Sequence, residues 1–196
     1  MHEQPMMIAM PNPRILLLLS GLALARLVPA TELNAVETDR SALTFVFREM
    51  GVPVDGRFKK FSAQVSFDPE KPAAGRAAID LDLASIDAGS DEANDEVAGR
   101  AWFDTKAYPQ ARFVSTGVKA LGGNRYEVSG KISVKGRTRE VSAPFTFTPQ
   151  ANGGIFDGAF VLQRADFGIG EGIWADFGTV ANEIQIKFHF LASAGK

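Results

Sequence analysis

The chain carries few side chains able to do covalent chemistry, and their spacing keeps them apart. Its 196 residues include no Cys and two His, which removes disulfides, thiolate metal sites and cysteine nucleophiles together. His189 stands between Phe188 and Phe190, on the face it shares with Gln185 and Lys187. It reads as a surface or interface histidine rather than the proton acceptor of a triad. Asp80 and Asp82 share a face, as a glycosidase pair would, but outward positions on an alternating strand ordinarily serve solvation. Asp91, Asp95 and Glu96 lack the glycine and closing glutamate of a calcium loop and read as an acidic first turn complementing a helix dipole. Gly168-Ile169-Gly170-Glu171-Gly172 has neither the spacing nor the strand–turn–helix setting of a dinucleotide fingerprint. No catalytic residue and no metal ligand is assigned.

One constellation stands out: Arg164, Asp166 and Phe167, followed by Trp174 and Asp176. An Arg and an Asp two residues apart lie on one side of an extended chain. Two readings stay open. In one, this is the mouth of a barrel, with Phe167 and Trp174 over the opening and Arg164 meeting a polar headgroup. In the other, a structural Arg164–Asp166 pair holds an aromatic loop over the barrel end.

The segments that position these residues alternate with period two between short turns. Leu43, Phe45 and Phe47 form one stripe, and Ala63, Val65 and Phe67 the next, before a turn at Asp68-Pro69. Ile79, Leu81 and Leu83 alternate with Asp80 and Asp82. Phe113 belongs to a strand ending at Gly122-Gly123-Asn124, and Val128, Gly130, Ile132 and Val134 follow it. Lys135-Gly136 turns the chain into Val141, Ala143, Phe145 and Phe147. Beyond Asn152-Gly153-Gly154 come Phe156, Gly158, Phe160 and Leu162, and the last stripe holds Ile184, Ile186, Phe188 and Phe190. The segment 87–99 breaks this pattern and predicts a short helix with Ser90 as its N-cap. About eight antiparallel strands with short connections read as a closed barrel or a sandwich. Periodicity alone favours a filled core; Gly130, Gly158, Ala63 and Ala143 leave room for a cavity.

Composition narrows the setting. Residues 15–25 are an apolar run after Arg14, with small residues at Val28-Pro29-Ala30, the order of a cleaved secretory signal peptide. The run is shorter than the ~20 residues of a membrane span. The expectation is a leader over 1–30, cut after Ala30 or at Ala23-Leu24-Ala25, and a single domain over 31–196. Net charge is −2 for the whole chain, which offers no basic footprint for nucleic acid. The 15 Phe against two Tyr mark an interior without hydrogen-bonding handles.

In order and spacing, Gly56-Arg57-Phe58, Phe67-Asp68, Ser85-Ile86-Asp87-Ala88-Gly89, Trp102-Phe103-Asp104, Tyr108-Pro109, Phe113-Val114-Ser115-Thr116, residues 130–136, 164–174 and 180–186 resemble the YceI-like family of periplasmic lipid-binding proteins. The resemblance covers roughly residues 33–191. It implies an all-β fold, an eight-stranded antiparallel lipocalin-like barrel with a short helical insertion, around an elongated apolar cavity. It implies a polyisoprenoid or quinone-like lipid as ligand, either a quinone tail or an isoprenyl phosphate, with no covalent cofactor and no catalysis. The expected ligand contacts are the inward residues Phe45, Phe47, Val65, Phe67, Ile79, Leu81, Phe113, Val128, Ile132, Val141, Phe145, Phe160, Leu162, Ile186 and Phe188, with Arg164, Asp166, Phe167 and Trp174 at the mouth. The implied setting is the periplasm, with a homodimer and transient contact with a membrane or a membrane redox protein. The alternative is an enzyme acting on a lipid headgroup at the barrel mouth. Asp39-Arg40-Ser41-Ala42 stands where many members carry a His-Ser pair, and Asp95-Glu96-Val97 replaces their usual His-Leu element.

Overall fold

Strict two-residue alternation lets each segment bury one face and wet the other, and the chain closes these segments into a barrel. The structure, a computed structural model, describes residues 33–194; the leader read over 1–30 lies outside them. The strands are β1 (Leu33–Val36), β2 (Ala42–Glu49), β3 (Val52–Phe58), β4 (Phe61–Ser66), β5 (Arg76–Asp82), β6 (Ile86–Asp87), β7 (Gln110–Gly122), β8 (Arg125–Val134), β9 (Arg137–Gln150), β10 (Gly153–Gln163) and β11 (Glu183–Ala194). A helix, α1 (Asp91–Ala98), lies between β6 and β7.

Hydrogen-bonded neighbours run β4-β5-β7-β8-β9-β10-β11-β2-β3, each pair antiparallel. The two ends of this path, β3 and β4, are consecutive in the chain. They form one strand bent at Lys59-Lys60, and the backbone groups freed by the bend pair with the far side, Lys59 N–H on the Ser85 carbonyl and Asp82 N–H on the Lys60 carbonyl. Counted that way the wall has eight strands. The short β1 pairs with β11 and bonds through Leu33 to Phe67, lapping over the lower end.

β3 escaped the alternation signal because Pro53, Asp55 and Gly56 are types that strands avoid. The last turn also differs by a residue or two. Gly153 and Gly154 already pair with Gln150 and Pro149, so the reversal falls at Ala151-Asn152. Helix α1 begins where the sequence places its cap, with Ser90 Oγ accepting from the Ala93 N–H at 3.2 Å. The segment from Leu83 to Pro109 completes the wall where β3 and β5 part. β6 pairs with β3, and Leu83 N–H bonds the Pro109 carbonyl at 2.9 Å.

The interior has two zones. At the lower end Phe67, Tyr126, Phe145, Phe147 and Phe156 form a plug with ring centroids 5.0–6.0 Å apart, and all five are buried. Toward the other end, Phe45, Phe47, Phe160 and Phe188 point inward yet stay only half-buried, because what they face is a lumen. Gly130 and Gly158 do not simply leave that lumen open. Phe rings lie across them: a Cβ on Gly158 would overlap Phe188, one on Gly130 would overlap Phe113, and one on Gly56 would overlap Phe45. Gly158 with Phe188 and Gly56 with Phe45 are direct cross-strand partners. Each ring rests against the wall instead of crossing the axis.

Replacing Gly158 by Val is expected to lift Phe188 off the wall into the lumen and to cost about 1–3 kcal/mol through overpacking. Chemical denaturation measures the loss, and an unchanged midpoint would contradict the ring-on-glycine arrangement.

Candidate functional site

Inward side chains of every long strand enclose one apolar cavity of about 600 Å³, within the ~300–1,000 Å³ of small-molecule sites. Phe45 and Phe47 come from β2, Val65 from β4 with Phe67 just beyond it, Ile79 and Leu81 from β5, and Phe113 from β7. Val128 and Ile132 of β8, Val141 and Phe145 of β9, Phe160 and Leu162 of β10, and Ile186 and Phe188 of β11 complete the barrel lining. Arg164, Phe167 and Trp174 meet the same cavity.

Asp166 does not. It is exposed, and none of Arg164's hydrogen bonds goes to it. The pairing of these two residues assumed an extended chain, but Arg164–Phe167 is a 3-10 turn. At three residues per turn, positions two apart diverge. Phe167 is likewise wall rather than cover, at 2% exposure.

Arg164 is 2% exposed and its guanidinium donates only to backbone carbonyls. Nε bonds Ala181 at 3.1 Å, Nη1 bonds Ile169 at 2.8 Å and Gly170 at 2.9 Å, and Nη2 bonds Trp174 at 2.7 Å and Val180 at 2.8 Å. All five N–H donors are spent. The Trp102 ring lies 5.5 Å from Cζ and the Phe177 ring 5.1 Å, close enough for cation–π contact. Burial lowers the Arg164 pKa, yet a guanidinium stays protonated. The glycines after it serve this docking. Gly170 has φ 76° and a Cβ there would overlap Nη1.

The insertion supplies wall that the alternation did not signal: Ala93, Glu96 and Val97 of α1, with Trp102 and Phe103 beyond it. The available signal was Ala93 and Val97 at i and i+4 on an otherwise acidic helix. Glu96 Oε1 accepts from Trp174 Nε1 at 2.6 Å, tying α1 to the Gly172–Trp174 turn. Trp102 is 8% exposed, its ring centroid lies 5.6 Å from that of Trp174, and its Nε1 is buried with no acceptor. Glu49, Glu92 and Glu96 also reach the cavity wall.

The remaining candidates lie apart from this site. His189 Nδ1 meets Asp157 Oδ1 at 2.6 Å on the outside of the barrel, across the β10–β11 register. Asp80 pairs with Arg112 at 3.0 Å, and Asp82 caps the next turn by accepting from the Ala84 N–H at 3.0 Å. Arg164, at the cavity wall, and His189, paired with Asp157 on the outside of the barrel, are not brought together.

The family model described as the YceI-like domain matches residues 35–192. The UPF0312 protein of Pseudomonas putida is 34% identical over 122 residues, 59% of this chain and 64% of that one; the chain thus spans less than two thirds of that relative's length. Among solved structures, BcnA of Burkholderia cenocepacia is 46% identical with a TM-score of 0.79, over 81% of this chain and all of that one. A polyisoprenoid binding domain from Saccharophagus degradans shares the fold, with a TM-score of 0.65 at 18% identity, over 85% of this chain and 99% of that one.

Arg164→Met should strand five carbonyls and cost about 3 kcal/mol or more, with Arg164→Lys recovering part because an ammonium has three donors. Urea unfolding of the two variants checks this order. The Gly178 N–H and the Thr179 hydroxyl hold the Asp176 carboxyl below its ordinary pKa. That contribution is therefore complete above the ordinary carboxylate range and is lost as pH falls through the lowered value. Hydrogen-exchange protection of the Gly178 amide should drop at acid pH, and Asp176→Ala should remove the dependence.

Proposed function

The chain belongs to the YceI-like domain family, and from that membership we propose that it binds an amphipathic lipid with a polyisoprenoid or similar tail in the barrel cavity. It carries or stores this lipid and does no chemistry of its own. The observation that supports this most is the hollow zone: half-buried Phe45 and Phe188 rings lodged against Gly56 and Gly158 around about 600 Å³ of apolar space. A filled structural barrel has no use for rings held off its axis. The polyisoprenoid ligand named for the Saccharophagus degradans domain points the same way.

Energetics suit such a ligand. Burying hydrocarbon contributes about 0.8 kcal/mol per CH₂, so each five-carbon unit supplies roughly 3–4 kcal/mol. A few units offset the ~4–15 kcal/mol cost of association, and no strong polar anchor is required.

The same reading places the protein in the periplasm, exported by the 1–30 leader, as a homodimer that touches a membrane or a membrane redox protein transiently. Support for that contact comes from one end of the barrel, where Met50, Val52, Ile173 and Phe177 are 79%, 62%, 86% and 48% exposed. Met50 N–H bonds the Thr179 carbonyl at 2.8 Å, which joins these residues around the loop bearing Trp174.

Solvent extraction of the natively purified protein followed by mass spectrometry should recover a lipid, and the emptied protein should take up added polyprenol. An empty protein that also refuses polyprenol would sink the proposal. Phe160→Arg and Phe188→Asp should lose lipid and fold together, since an unpaired inward charge is costly. A folded Phe188→Asp protein that still binds would place Phe188 off the binding face.

A further inference from the structure

The β9–β10 hairpin is bonded over only part of its length. β10 pairs with β11 from Gly153 to Gln163, but with β9 only from Gly153 to Gly158, where the partner is Phe145. β9 keeps its pairing with β8 back to Arg137. Among the described residues, 137–144 of β9 and 159–163 of β10 therefore have a ladder on one side alone. The break falls at Pro144, which has no N–H to donate and which sheets confine to edges, strand starts and bulges. Its carbonyl still lies against Gly158, where a Cβ would come within 2.6 Å of it. Beyond the loop end of the hairpin the two strands are joined again. β10 runs into the Arg164–Phe167 turn, Lys135 Nζ donates to the Gly168 carbonyl at 2.7 Å, and Arg137 meets Glu171 at 3.7 Å. Between these two closures the wall has a slot, and at ~3.3 Å per residue Gly158 to Gln163 spans about 16 Å.

The slot borders the cavity. Val141 and Ala143 on one lip, and Phe160 and Leu162 on the other, line the lumen. Ile132 of β8 is 9% exposed, whereas its cross-strand partner Arg139, nearer the slot, is exposed. Cross-strand partners share a face, so solvent reaches the inner face of β9 from the slot side. Resting on the lipid-binding reading above, we infer that the β9–β10 slot is the gate through which the lipid tail enters and leaves, sideways, instead of threading the end of the barrel. Bonded strands separate only by breaking their ladder, but these lips part with no hydrogen bond lost, which makes the seam the place where opening costs least. The end-on path is less favourable. Trp174 Nε1 is tied to Glu96 there, and Glu49, Glu92 and Glu96 present carboxylates that a passing hydrocarbon would strip of water. A tail lying along the strands crosses the slot in one step, whereas threading draws its whole length past those groups.

The chain has no Cys, so thiols can be placed in chosen pairs. Continuing the register sets Ser142 opposite Val161. Ser142→Cys with Val161→Cys, joined by a short bis-methanethiosulfonate bridge, should slow both uptake and release of a dansyl-labelled polyprenol about tenfold in stopped flow, the behaviour of a gate. Affinity should stay unchanged, and dithiothreitol should restore both rates. The same bridge between Lys119→Cys and Glu127→Cys, across the bonded β7–β8 ladder, should alter neither rate. Equal rates with the seam bridged and free would overturn the gate and leave the lipid-binding reading standing. Slowing of the same size by the β7–β8 bridge would overturn it too. Amide hydrogen exchange reads the seam on the unmutated chain: the amides of 159–163 that face β9 should exchange faster than those of 154–158, and equal protection would mean a continuous ladder and no slot. If the unbridged protein takes up no polyprenol, the lipid-binding reading fails instead.

Discussion

A buried guanidinium must be solvated by something, and in this barrel the backbone does it. Arg164 sits at 2% exposure with five carbonyl partners drawn from residues 169, 170, 174, 180 and 181. Satisfying all five at once determines the path of the loop from β10 to β11. That loop in turn positions Phe167 and Ile169 in the cavity wall, brings Trp174 within reach of Glu96 on α1, and lays Phe177 against the cation. A carboxylate partner would have fixed one point of the loop; carbonyls fix five. Because the charge is consumed internally, the cavity end it borders has a cation that holds structure and has no donor left for an anion.

The second constraint concerns volume. A barrel of this size fills itself when large inner residues meet across the axis. Here several of the largest are paired sideways with glycine, Phe188 on Gly158, Phe45 on Gly56 and Phe113 on Gly130, so aromatic area goes to the wall. The lower third is treated differently, with Phe67, Tyr126, Phe145, Phe147 and Phe156 packed edge to face and stacked into a stopper. One residue type thus builds both a closed end that supplies stability and an open zone that supplies space.

Much of the barrel was legible because a strand's side-chain period is two, and a register error would reverse every face. The inward assignments of Phe45, Val65, Ile79, Val128, Phe160 and Ile186 agree with the cavity wall for that reason. The segments that escaped notice were those whose contacts are not periodic. β3 was masked by Pro53 and Gly56. Trp102 and Phe103 sit in turns, where no period tells inward from outward. Asp166 was placed beside Arg164 by assuming extended backbone, and a 3-10 turn carried it to the surface.

The sequence by itself determined which residues face inward, where the helix starts, and how little catalytic material the chain contains, since period, capping residue and composition are local properties. Tertiary structure alone decided whether the interior is hollow and what Arg164 is for. Gly and Phe alternate with the same period whether a ring crosses the lumen or lies on its neighbour, so only the packing distinguishes the two. Carbonyl acceptors are identical at every position, and a side chain that bonds to five of them leaves no pattern of residue types to read.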